Sequence, residues 1–314
     1  MNKTSLYNFV AAVCLLAAAS ISIYASQQDN ATGVPVNVTI TLEPRRGKTI
    51  PPIEAQDIRV LQGRDKRPVQ SLIPVGQQDG PMQLLLMIDD SARSSFDTEI
   101  NTIKQFINSL PGNTEIGVGY MRNGMTQMTQ KFTKDHADVA NSIRVAFGPG
   151  GADVSPYDSL SDAVKNWPEP GAQRKEVIMI SSGIEGLGGG FTPDNPYVNK
   201  AIVDAQRAGI VVYTIYSPSV GHWGHSYWRN TWGQNFLSQL SDQTGGESYY
   251  IGFGSPVSFQ PFLDQIREQM RNQYILTFMA KPESKSGLQQ VKISIMEKDA
   301  SIAAPDKVLV KAGL

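Results

Sequence analysis

The chain has 314 residues, 40% of them apolar and 18% charged, with 28 Lys and Arg against 29 Asp and Glu for a formal net charge of −1. That balance is ordinary for a globular protein and excludes recognition driven by bulk charge, of nucleic acid or of an anionic membrane surface. One cysteine, Cys14, excludes a disulfide framework within the chain.

Residues 1–25 read as a secretory signal peptide. Lys3 gives the positive start, 9–23 an apolar run rich in Ala and Leu, and Ile23-Tyr24-Ala25 a cleavage signal before polar Ser26, Gln27, Gln28 and Asp29. Val13 before Cys14 is a poor fit to a lipoprotein signal. The run is short for a membrane span, an uncleaved anchor being the alternative, and no later stretch is long and apolar enough to cross a bilayer. The expectation is an exported protein, periplasmic or secreted, that meets a membrane only through its export signal.

Residues 34–42 alternate apolar and polar, the period of a half-buried strand. Two short strands are predicted at 57–61 and 69–75, separated by a charged turn from Gly63 to Pro68. From Met82 the rhythm changes. Residues 84–88 are continuously apolar, as in a strand covered on both faces. Phe96, Ile100, Ile103, Phe106, Ile107 and Leu110 then follow at helical spacing up to Pro111-Gly112. Strands at 115–120 and 125–132 flank Asn123-Gly124, a hairpin signal. Helices are predicted near 135–146, 157–166, 195–208, 233–243 and 258–270, and strands at 177–180, 210–216 and 248–251. The end returns to strands, at 273–278, 288–296 and 307–310.

Strands alternating with helices imply an α/β fold with a doubly wound, mostly parallel sheet. The two helix-free flanks are expected to pair into a small β-sandwich. The expected organisation is a leader (1–25), an N-terminal β segment (26–80), an α/β domain (81–271) and a C-terminal β segment (272–314) that pairs with 34–75.

In such sheets ligands bind where loops leave the carboxyl ends of the strands, here 89–95, 147–157, 181–194 and 217–232. Leu84 to Ser91 (LLLMIDDS), Val177 to Gly183 (VIMISSG), Ala208 to Ile215 (AGIVVYTI) and Leu240 to Tyr250 together resemble a von Willebrand factor type A domain. The later stretch from Phe262 to Phe278 resembles an exported bacterial branch of that family, of the type common in Acidobacteria. The similarity covers roughly 34–312. The resemblance implies the doubly wound fold, a binding role, and a metal-ion-dependent adhesion site built on Asp-x-Ser-x-Ser.

That site carries over in part. Asp89 and Ser91 stand at the first aspartate and first serine, Arg93 replaces the second serine, and Ser182 stands where the last aspartate belongs. The threonine position falls near 153–155, before Tyr157-Asp158-Ser159-Leu160. With one carboxylate missing and a fixed cation present, Mg²⁺ is disfavoured. Three readings stay open. Arg93 substitutes for the cation by pairing with Asp89 or Asp158; Arg93 points to solvent; or a weak Mg²⁺ or Mn²⁺ site survives on Asp89, Ser91 and Asp153 or Asp158. No other cofactor is expected.

The stretch His222, Trp223, His225, Tyr227, Trp228 and Trp232 follows a buried strand and is expected to form a loop whose aromatics bind a partner or fold over the sheet edge. The glycine-rich run 183–190 lacks the Gly-Lys-Ser/Thr ending of a phosphate loop and reads as a mobile loop beside the site. No nucleophile elbow, His-Glu-x-x-His motif or cysteine nucleophile is present. The sequence therefore points to an exported, non-enzymatic module that binds a protein or cell-envelope component through Asp89, Ser91, Arg93, Asp158, Ser182 and the aromatic stretch. The alternatives are an envelope hydrolase or glycan-handling enzyme using Asp89, Asp90 or Asp158 with a loop histidine, and a structural envelope subunit. Oligomeric state is left open.

Overall fold

The computed structural model describes residues 33–313, apart from 46–48, 76–80, 93, 148–154, 170, 187, 189, 219–225, 253 and 255, and without the side chains of Ser94 and Ser95. In chain order the strands and helices begin with β1 (Val34–Pro44), β2 (Ile58–Gln62), β3 (Asp65–Arg67), β4 (Val69–Pro74) and β5 (Met82–Asp89). A 3-10 turn at Ser94–Glu99 leads into α1 (Ile100–Asn108), then β6 (Glu115–Arg122), β7 (Met125–Thr133), α2 (His136–Ser142) and α3 (Pro156–Lys165). Next come β8 (Arg174–Ser181), α4 (Pro196–Ala208), β9 (Ile210–Tyr216), α5 (Tyr227–Thr244), β10 (Ser248–Tyr249) and α6 (Gln260–Arg271). The chain closes with β11 (Gln273–Ala280), β12 (Gly287–Ile295), β13 (Ala300–Ala303) and β14 (Lys307–Val310).

The apolar runs of the middle region form a six-stranded sheet in the order β10-β9-β8-β5-β6-β7, parallel except for β7. Every residue of β5 and β9 is buried, the reason these runs do not alternate. Strand period two divides the core. Leu84, Leu86 and Ile88 pack with Ile103 and Phe106 of α1 and with Leu263 and Ile266 of α6. Leu85 and Met87 pack on the other face with Leu160 of α3, Ile202 of α4 and Leu237 of α5. Each such side chain, fully buried, contributes about 1.5–3 kcal/mol before entropy is counted. The expected doubly wound sheet is present. Asn123 and Gly124, with φ of 51° and 68°, make the tight turn between β6 and β7 that Asn-Gly signals.

The flanks form two antiparallel four-stranded sheets, β13-β1-β11-β4 and β14-β12-β2-β3. Val36, Val38 and Ile40 of β1 and Leu276 and Phe278 of β11 face Val60, Val291, Val308 and Val310 of the second sheet. Two details differ from expectation. The charged turn is only Gly63-Arg64, because Asp65–Arg67 pairs with β2 as a polar edge strand. A strand at Ala300–Ala303, without sequence signal, pairs with the end of β1. In both, backbone hydrogen bonding decides the conformation and side-chain pattern does not.

The sandwich meets the sheet at its amino edge. Arg174, opening β8, donates to Gln273 Oε1 at 2.9 Å, to Met270 O at 3.0 Å and to Val75 O at 3.4 Å, and forms a buried ion pair with Glu176 at 3.3 Å. Burial raises the carboxyl pKa of Glu176, with the Arg174 charge opposing. The carboxyl edge of the sheet faces away from the sandwich.

Candidate functional site

β5 ends at Asp89, and the hydrogen bonds at this point define two adjacent carboxylates with opposite surroundings. Asp89 Oδ1 accepts from Ser91 N at 2.9 Å and Ser91 Oγ at 2.6 Å, and Oδ2 accepts from Ser181 Oγ, at the end of β8, at 2.9 Å. Burial raises the Asp89 pKa; the bonds from Ser91 and Ser181 oppose it and the Asp90 charge adds to it. Asp90 accepts from Arg144 at 2.7 and 3.3 Å, from Arg122 at 3.2 Å and from Phe147 N at 3.0 Å. Burial pushes its pKa up too, but those donors outweigh burial and hold the carboxyl below its usual range. The Arg144 guanidinium lies 3.7 Å from the ring centre of Tyr120 and 3.8 Å from that of Phe147, so the cation is stacked between two rings.

A second polar layer comes from α3 and the loop after β8. Ser155 caps α3, accepting from Asp158 N and donating to Glu185 Oε2 at 2.9 Å, and both side chains are buried. Tyr157 donates to Gly183 O at 2.9 Å; burial, then the Glu185 charge, raises its pKa well above normal. Gly183 has φ of 67°, and α5 crosses the same turn at Gly233, where a Cβ would meet Ser182 O at 2.3 Å. Only glycine permits that backbone approach.

The same edge of the sheet carries exposed apolar residues. Phe147 is 70% exposed, Tyr227 71%, Trp228 59%, Ile251 63% and Val257 99%, and each lies on a segment at the carboxyl edge of the sheet. Ser226 caps α5 by accepting from Arg229 N at 3.3 Å. Tyr227 and Trp228 are therefore in the first turn of a helix, where a loop was expected. A run of rings then goes inward: Trp228 to Trp232 at 5.9 Å, Trp232 to Phe236 at 5.5 Å and Phe236 to Tyr157 at 6.1 Å. Two neighbouring bonds brace the rim. Gln234 Nε2 donates to Gly252 O, and Glu99 accepts from Phe259 N at 2.7 Å.

Of the residues named from sequence, Asp89 and Ser91 are hydrogen-bonded to each other. Ser182 is fully buried and accepts from Ile184 N at 3.4 Å. Asp158 is half-buried with its side chain against Gly124 of the β6–β7 turn. Arg93, Asp153, His222, Trp223, His225 and the leader 1–25 lie outside the described residues. Sequence reading did not find Ser181, Glu185, or the grip of Arg122 and Arg144 on Asp90. The Asp-Asp doublet at a strand end is the signal for the last, because two adjacent side chains of a strand need separate partners.

Both oxygens of Asp89 and both of Asp90 accept internal hydrogen bonds, Glu185 is engaged by Ser155, and no three acidic, histidine or cysteine side chains gather among the described residues.

The class that fold and site define is a doubly wound α/β domain with an aspartate-serine centre at its carboxyl edge, joined to a two-sheet β-sandwich. No family model and no curated protein matches the chain. Solved structures similar to it include an aerotolerance-related membrane protein from Bacteroides fragilis, at 14% identity and TM-score 0.44, covering 60% of this chain and 98% of that one. The type V pili tip protein Mfa5 from Porphyromonas gingivalis matches at 11% identity and TM-score 0.43, covering 91% and 68%. The ArnB paralog VWA2 from Sulfolobus acidocaldarius matches at 9% identity and TM-score 0.39, covering 90% and 76%.

Proposed function

We propose that the chain is an exported, non-enzymatic binding module that takes a protein or cell-envelope component at the carboxyl edge of its sheet. One observation carries the reading: exposed Phe147, Tyr227, Trp228, Ile251 and Val257 lie on segments at the same sheet edge as a polar centre whose carboxylates are engaged internally. Exposed aromatic residues on a braced rim are the composition of binding hot spots. An acid/base role for Asp90 conflicts with its two arginine partners, which hold it ionised and occupied. The centre is a degenerate metal-ion-dependent adhesion site, with Arg93 at the sequence position of its second serine and Ser182 at that of its last aspartate, and the leader directs export.

Capture from a bacterial envelope extract tests this. The double variant Phe147→Ala, Trp228→Ala should lose the partner that the parent retains, with or without chelator. Equal capture by parent and variant overturns the binding surface; capture abolished by chelator alone overturns the metal-free reading. For the metal, Arg93→Ser with Ser182→Asp should create Mg²⁺ or Mn²⁺ binding by calorimetry. Tight binding by the parent would sink the substitution idea.

A further inference from the structure

At the opposite edge of the sheet, a cleft of about 290 Å³ opens between β1, β11 and β14 of the sandwich and the corner where α4 turns into β9. Three cations line it, each from a different element: Lys175 from β8, Arg207 from the last turn of α4 and Lys307 from β14. Among the described residues none of the three forms an ion pair, and no Asp or Glu contributes to the walls. Asp306, beside Lys307 in sequence, accepts instead from Gln206 Nε2. Three like charges from separate elements around one concavity make it favourable to an anion.

Gln206 is held in the wall of the cleft by internal bonds. It lines the cleft, is 4% exposed, and uses its amide nitrogen on Gln243 O and Asp306. Its carbonyl oxygen is buried with no donor. Ile275 and Val308 add apolar wall, and clefts between packed units are common ligand sites.

We infer that this cleft binds a small organic anion, its phosphate or carboxylate head held by Lys175, Arg207 and Lys307 and its carbon skeleton against Ile275 and Val308. The cations also neutralise the carbonyl end of α4, a role that needs no ligand. The test separates the two.

The full chain is titrated calorimetrically with glycerol phosphate, glycerate, inorganic phosphate and glycerol. At least one of the two organic anions should bind with a Kd of about 1 mM or tighter, and no more weakly than inorganic phosphate. Glycerol should not bind. Glycerol phosphate against glycerate decides which head group fits. Added NaCl should weaken the binding, a readout that needs no variant. Arg207→Ala with Lys307→Ala should weaken it roughly tenfold or more, and Arg207→Lys with Lys307→Arg should restore most of it. The inference is overturned if none of the anions saturates by about 10 mM, if glycerol binds as well as glycerol phosphate, or if the alanine pair lowers thermal stability with anion affinity unchanged.

Discussion

Replacing Asp90 by asparagine keeps the shape of the side chain and removes the charge that Arg122 and Arg144 converge on. Asp90 is 2% exposed while the arginines retain 27% and 25%, so the carboxylate is desolvated and its partners are partly hydrated. Removing one partner of a fully buried pair costs about 3–5 kcal/mol, and a hydrogen bond to a charged group contributes about 1.5–3 kcal/mol. Because the guanidinium groups can turn to water, the expected loss is nearer 2–3 kcal/mol, or roughly 5–10 °C in Tm for a unit of this size. Urea unfolding of parent and variant with matched m-values measures it. The pH dependence gives an independent check. The folded pKa of Asp90 is depressed, so its contribution is whole above the unfolded value, near 4, and is lost as pH falls through the lower folded value. The parent–variant gap should therefore hold constant from neutral pH to about 5 and narrow below about 4. A variant within about 0.5 kcal/mol of the parent at neutral pH would refute the reasoning, since surface pairs behave that way.

Gly233→Ala should destabilise by about 2 kcal/mol or more, because the new methyl meets Ser182 O at 2.3 Å where backbone faces backbone; proteolytic susceptibility and Tm report it. Arg174→Ala leaves Glu176 buried without its countercharge and should cost about 3–5 kcal/mol, whereas Arg174→Met with Glu176→Leu should recover most of that in thermal melts. Trp228→Ala should leave Tm within about 2 °C of the parent while reducing partner capture, which distinguishes a binding residue from a core one. N-terminal sequencing of the exported protein should begin after residue 25.

The fold was legible wherever burial leaves a periodic trace. Residues 84–88 and 210–216 announce their strands because both faces are covered, and Asn123-Gly124 announces its turn through positive φ. Asp65–Arg67 and Ala300–Ala303 were not legible, since edge strands are held by backbone pairing that any side chain tolerates. The start of α5 was obscured because Tyr227, Trp228 and Trp232 break the usual apolar stripe, and only the Ser226 cap marks it. At the site, Asp89 with Ser91 is a local motif and could be read directly. Asp90 with Arg144, 54 residues apart, and Ser155 with Glu185, 30 apart, depend on the course of the sheet and have no local signature.

The ring series from Trp228 inward gives the molecule a built-in optical gauge. Trp228 and Trp232 lie at the rim with their rings 5.9 Å apart, while Trp167 is buried at the other end of the sheet with its indole nitrogen donating to Gln83. An occupant that covers Trp228 takes its indole out of water and shifts that emission to the blue, leaving Trp167 as an internal constant. Occupancy of the rim is thus readable by light from the unmodified chain, before the identity of the occupant is known.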